Sequence, residues 1–153
     1  MGVGVDELEM LTVAKKLPGY LSDGAVKLLK SAIHGRGLIA QMELPARRRI
    51  GVISGKLVKL PEGRRAVENL PVIYFVELTS RWALDCSEGN KFKHINHSCR
   101  PNCYLRIAGK RVVEIYTLRK IPAKAELTCD YSLTPHKNGM TCRCGHSNCK
   151  GKL

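Results

Sequence analysis

The sequence predicts a mainly β protein, on three observations. From Val26 onward the chain is a series of short apolar segments rich in Val, Ile and Tyr, separated by gaps that carry Gly or Pro. No stretch sustains a long helical period. The 153 residues are 44% hydrophobic, enough for one domain of about 150 residues with a core of its own, so a disordered chain is excluded.

Taken in order, residues 1–24 are acidic and then mixed. They end in Pro18-Gly19 and Asp23-Gly24 and read as an N-terminal extension. The candidate strands that follow are Val26–Leu29, Leu38–Ala40, Ile50–Ile53, Leu57–Leu60, Val72–Leu78, Trp82–Leu84, Cys103–Ile107, Val112–Leu118 and Glu126–Tyr131. Gly109-Lys110 between two of these predicts a hairpin. Glu62–Leu70 is a candidate short helix. No internal repeat is visible.

No apolar run approaches the ~18 residues of a spanning helix, so no membrane association is expected. The opening MGVGVDELEM has three acids and no basic region, which argues against secretion. Asp6 stands where a myristoylation signal after Gly2 wants Ser or Thr. The expected compartment is the cytoplasm in a microbe and the nucleus or chromosome in a eukaryote.

The chain carries 26 Lys+Arg against 13 Asp+Glu, a formal charge of +13. Residues 27–65 alone hold ten basic residues against two acids, including Arg47-Arg48-Arg49. Such a face attracts nucleic acid, a nucleosome or acidic protein, or serves only solubility. Phe and Trp total three, too few to interleave as a base-stacking platform.

Seven cysteines, an odd number without an export signal, argue against a disulfide framework. Cys142, Cys144 and Cys149 form C-x-C-x4-C, and three soft thiolates at that spacing suit one tetrahedral Zn²⁺. The fourth ligand comes from elsewhere, with His146, Cys99, Cys103, Cys129 and His136 all open.

Three further stretches are distinctive. His34-Gly35-Arg36-Gly37 lets backbone approach another group closely. Gly89-Asn90 through His94-Ile95-Asn96-His97-Ser98-Cys99-Arg100-Pro101-Asn102-Cys103 sets polar groups between apolar strands, costly unless they hold a ligand or one another. Glu126-Leu-Thr-Cys129-Asp130-Tyr131 ends a strand in an acidic-aromatic pair; alone, such a tyrosine reads as a packed phenol.

In this order the stretches resemble the SET-domain protein-lysine methyltransferases. The early G-x-G, the N-H-S-C-x-P-N signature preceded by G-N, the E-L-T-x-D-Y strand and the terminal cysteines of a post-SET segment are all present between about residues 25 and 153. The resemblance implies a SET fold of several small β-sheets around a knot-like crossing, with a SET domain over 25–133 and a zinc-bound post-SET segment over 134–153. It implies that S-adenosylmethionine is held by His34, Arg36, Gly37, Asn96 and His97, with Lys93 where many members have Arg and Leu153 over the adenine edge. It also implies Cys99 as the fourth zinc ligand beside Cys142, Cys144 and Cys149, and Tyr131 as the catalytic tyrosine.

The implied activity is methyl transfer to a lysine of a protein, histone or other basic protein, near Glu77, Asp85 or Glu88. Departures matter too. Ile53 stands where many members have a channel tyrosine, and Lys93-His94 replaces Arg-Phe. A catalytically weak binding module with structural zinc is therefore the alternative. A zinc-dependent nucleic-acid binder is another, motivated by the charge. A Cys99/His97 hydrolase is set aside because Cys99 is better used as a metal ligand.

Overall fold

The computed structural model describes Leu21 and residues 23–109, 111–132 and 136–153. The N-terminal extension up to residue 20, the Gly2 signal and the junction at 133/134 lie outside the described residues. Among the described residues, ten short strands make three small sheets. They are β1 (Val26–Lys30), β2 (Arg36–Ala40), β3 (Arg49–Ile53), β4 (Lys56–Lys59), β5 (Phe75–Glu77), β6 (Trp82–Asp85), β7 (Asn96–His97), β8 (Cys103–Ala108), β9 (Val112–Thr117) and β10 (Glu126–Cys129).

The first sheet runs β1-β2-β10-β7, the second β3-β9-β8 and the third β4-β6-β5. All pairs are antiparallel except β10 with β7, where Thr128 faces Asn96 and Cys129 faces His97. The β8–β9 hairpin forms as its sequence predicts, with Ala108 opposite Val112.

Two elements differ from expectation for local reasons. The helix α1 spans Leu60–Val67 rather than 62–70, because Pro61 fits a first helical turn and Leu60, Gly63 and Val67 form its buried face. Of Val72–Leu78 only Phe75–Glu77 pairs as a strand; residues 72–74 turn toward a cavity instead. β7 was not expected, since two polar residues carry no period-2 signal.

The core joins the sheets. Leu38, Leu44, Leu84, Val113, Ile115, Ile121 and Leu127 are sealed from solvent, each stabilising the fold by about 2 kcal/mol relative to exposure. Buried among them, Arg49 is paired with Glu114 at 2.8 Å across β3 and β9.

The polar chain from β7 to β8 laces onto β10. Ser98 N–H donates to Cys129 O at 3.0 Å, and the Asn102 side chain donates to Glu126 O and accepts from Thr128 N–H, both at 2.8 Å. The signature's polar groups thus satisfy one another along β10, which removes the cost of setting them between apolar strands. The preceding Gly89-Asn90 is fastened to β3: a Cβ on Gly89 would lie 2.2 Å from Ser54 O, and Asn90 donates to Ser54 Oγ and Val52 O.

Candidate active site and metal centre

The sulfur atoms of Cys99, Cys142, Cys144 and Cys149 all lie within 4.8 Å of one another. Cys99 Sγ stands 3.7 Å from Cys142 Sγ. Thiolates about 2.3 Å from a tetrahedral zinc are about 3.8 Å apart, so this donor set fits Zn²⁺ in a closed, structural site. The two ends of the terminal segment pair around it: Cys142 N–H donates to Gly151 O at 2.9 Å and Leu153 N–H to Met140 O at 2.8 Å. Backbone N–H groups of Cys99 and His146 favour the thiolate of Cys144 and lower its pKa to about 6.

Beside the sulfurs lies a cavity of about 280 Å³. The turn from β1 to β2 supplies His34 and Arg36, the short 3-10 turn Lys91–His94 supplies Lys93, and β7 supplies Asn96 and His97. Tyr131 and Leu153 close it. Seven of the eight cofactor-binding and catalytic residues expected from sequence therefore line one space. Gly37 stands behind it: a Cβ there would lie 2.2 Å from Glu126 Oε1.

That carboxylate organises the turn. Ser31 Oγ donates to Glu126 at 2.7 Å, and Asn96 Nδ2 stands 2.8 Å from Glu126 Oε1 and 3.1 Å from the carbonyls of His34 and Arg36.

A larger cleft of about 600 Å³ adjoins the cavity. Both are lined by Ile73, Tyr74, Lys93, Tyr131 and Met140, so these residues form a shared wall. The Tyr131 hydroxyl donates to Ile95 O at 2.6 Å. The residue is partly exposed as a whole, and burial around the hydroxyl pushes the phenol pKa well above its ordinary value. The hydroxyl is therefore neutral, with its proton engaged and its lone pairs left to accept.

Tyr74 is the second tyrosine of that wall, within 3.4 Å of His94 Nδ1 and 5.0 Å below the Lys93 ammonium. Sequence reasoning missed it because it sat in an apolar run read as a strand. Lys93 also donates through Nζ to Ser87 O.

Ile53 lines the cleft and is buried. Of the three acids expected there, Glu77 lines it and is held by Arg64 at 2.7 and 2.8 Å. Asp85 and Glu88 are not among its lining residues, and Asp85 is engaged by Ser87 at 2.7 Å. Asp130 takes their place. Pro101, Tyr104, Leu105, Ile107 and Leu118 make the opposite side apolar.

His97 links the centres. Its Nδ1 accepts the Tyr131 backbone N–H at 3.0 Å, which leaves the proton on Nε2, 3.5 Å from Cys99 Sγ. Burial lowers its pKa and favours this neutral form.

The described residues thus form a small, many-sheeted β protein in which a sulfur cluster borders a cavity that shares a tyrosine-bearing wall with a larger cleft. The SET domain family matches residues 35–132, and the chain belongs to that family. Over 140 residues it is 33% identical to the histone-lysine N-methyltransferase, H3 lysine-4 specific, of Saccharomyces cerevisiae, covering 84% of this chain and 13% of that protein. It is 32% identical over 139 residues to histone-lysine N-methyltransferase 2B of Homo sapiens, covering 84% and 5%. It is 31% identical over 136 residues to histone-lysine N-methyltransferase trithorax of Drosophila virilis, covering 84% and 4%. The chain thus spans a small part of these relatives. No helix among the described residues is long and apolar enough to cross a membrane.

Proposed function

We propose that this chain is a protein-lysine N-methyltransferase that transfers the methyl group of S-adenosylmethionine to a lysine of a histone or other basic protein. The observation that carries this reading is the Tyr131 hydroxyl, neutral and held by Ile95 O on the wall between a cofactor-sized cavity and a peptide-sized cleft. Family membership and three histone-lysine methyltransferase relatives support it.

S-adenosylmethionine supplies an electrophilic methyl on a sulfonium when bound. Its polar parts suit Asn96, His97 and the backbone at His34 and Arg36, and its base suits the apolar side of Ile33, Met140 and Leu153. Gly37 serves this site by admitting Glu126, and Lys93 by its stem in the wall. Zn²⁺ on Cys99, Cys142, Cys144 and Cys149 keeps the terminal segment closed over the cavity.

A lysine of pKa about 10.4 is protonated at neutral pH and must lose its proton to water before attack; as its bond to the methyl forms, the methyl's bond to sulfur would break and leave S-adenosylhomocysteine. Desolvation between Tyr74, Tyr131 and Ile53 favours the neutral amine. The Tyr131 oxygen orients that amine and accepts weak C–H···O contacts from the methyl, so alignment carries the rate. The compartment that suits this substrate is the nucleus or chromosome of a eukaryote, or the cytoplasm of a microbe.

The buried Ile53 favours one second reading, a weakly catalytic binding module. Incubation of the zinc-loaded protein with radiolabelled S-adenosylmethionine and core histones separates the two. Label in protein, resistant to nuclease, is expected; cofactor bound in calorimetry with no label transferred overturns the proposal in favour of the module.

A further inference from the structure

One end of the β3-β9-β8 sheet gathers exposed arginines that the site does not use. Arg47 and Arg48 lead into β3, and the chain beyond β9 carries Arg119. Leu118 N–H donates to Asn102 O at 2.8 Å, and the Arg119 guanidinium donates to Pro101 O at 2.7 Å, beside exposed Arg100. The nearby acid, Glu43, is paired with Lys120 at 2.9 Å, so the arginine charge there stands uncancelled by it.

The turn that displays Arg47 and Arg48 is clamped. Thr117 is fully buried; its Oγ1 donates to Pro45 O at 2.6 Å and accepts from Arg48 N–H at 2.9 Å. Arg47 N–H donates to Thr117 O and Thr117 N–H to Arg48 O, both at 2.9 Å. Within this clamp Arg47 adopts φ +57°, a left-handed conformation suited to glycine or asparagine. The clamp over-determines this turn, so Arg47 and Arg48 are held displayed at the start of β3.

We propose that Arg47, Arg48, Arg100 and Arg119 form a docking surface for the phosphate backbone of duplex DNA, beside the acceptor cleft. Guanidinium groups match phosphate oxygens in charge and in forked geometry. Among the described residues the exposed aromatics are Trp82 on β6 and Tyr104 and Tyr131 at the cleft, so the patch holds arginines without a stacking platform. That composition suits a double helix read through its backbone and not unstacked single strands. Pro101 and Leu118 line the cleft, so DNA on this surface brings a lysine of a DNA-bound protein to the cleft mouth; this last consequence rests on the proposed transferase activity, whereas the DNA contact does not.

The test is binding of the zinc-loaded chain to a fluorescent 20-base-pair duplex across a salt series. Four phosphate contacts give a slope of log affinity against log salt of about −3.6. The double variant Arg47→Ala/Arg48→Ala is expected to flatten it by about 1.8 and to cost on the order of thirtyfold in affinity near 0.15 M salt. Lys56→Ala/Lys59→Ala, on β4 of the third sheet, is expected to leave both unchanged.

Equal losses in the two double variants mean diffuse charge alone and overturn the proposal. So does tighter binding of polyglutamate than of duplex at matched salt, which identifies an acidic protein as partner. Arg47→Gly, which suits the turn, separates binding from folding: a retained or raised melting temperature with weakened DNA binding supports the surface, and unchanged binding overturns it. Activity of Arg47→Ala/Arg48→Ala on a short lysine peptide reports the transferase separately and is expected to be unchanged.

Discussion

His97 Nε2 lies 3.5 Å from Cys99 Sγ, while the opposite ring nitrogen accepts the backbone N–H of Tyr131. One neutral imidazole thus spans from the metal centre to the residue on the shared wall. An N–H bond to a ligand sulfur orients it and spreads its charge, and removing such a partner lowers metal affinity by about 10–100-fold. His97→Ala should therefore release zinc to a chromogenic chelator sooner than the parent protein and lower transfer in parallel. Unchanged zinc retention would reduce His97 to a wall of the cavity.

Tyr131→Phe removes the hydroxyl and leaves the ring. It also frees Ile95 O of its partner, a cost of about 1–2 kcal/mol. Cofactor affinity in calorimetry should stay within about twofold, because the ring still lines the cavity, while turnover falls at least tenfold, about 1.4 kcal/mol in the barrier. Parallel loss of both would show that the phenol is only a structural bond to Ile95.

Gly37 illustrates how a glycine in a motif can be required by packing. The early G-x-G implies close approach of a cofactor to backbone, yet the atom that a Cβ on Gly37 would meet first is Glu126 Oε1 at 2.2 Å, and Ser31 Cβ follows at 3.1 Å. Glu126 cannot withdraw cheaply, since Ser31 and Asn96 both bond to it. Gly37→Ala should destabilise the protein by about 1–3 kcal/mol in the absence of any cofactor, seen as a lower melting temperature. A full-stability Gly37→Ala protein with weakened cofactor binding would restore the cofactor explanation.

Strand positions were legible wherever β-branched residues alternate or run together, as in Val112–Thr117, and the hairpin turn was marked by glycine. β7 was not, because a two-residue strand formed by Asn96 and His97 owes its place to parallel pairing with β10, a long-range contact without local periodicity. The three local cysteines pointed to a metal-binding cluster, whereas spacing left five candidates for its fourth member; only the family pattern selected Cys99, which the fold brings 3.7 Å from Cys142 across 43 residues. Tyr74 and Asp130 reach the cleft through the packing of sheets that share no sequence neighbourhood, so no motif could assign Tyr74 to the wall. Asp85, by contrast, looked available in sequence and is consumed by Ser87 two residues away.

His94, which stands where the family commonly has Phe, makes a pH dependence that can be read on Tyr74. Its ring meets Tyr74 edge-on at 5.1 Å between centroids, with Nδ1 3.4 Å from the hydroxyl. Burial first, and then the positive charges of Lys93 and Arg36, hold its pKa below the ordinary value. A histidine depressed in the folded state binds its proton more readily when unfolded. Its contribution to stability is therefore complete above about pH 6.5 and is lost as pH falls through the folded-state pKa. Protonation also turns Nδ1 into a donor, so it can no longer accept the Tyr74 hydroxyl proton. Melting temperatures of the parent should fall between pH 7 and pH 5 more steeply than those of His94→Gln, whose side chain stays neutral. Identical slopes would show that His94 titration does not reach Tyr74 and leave Lys93 as the group that fixes it.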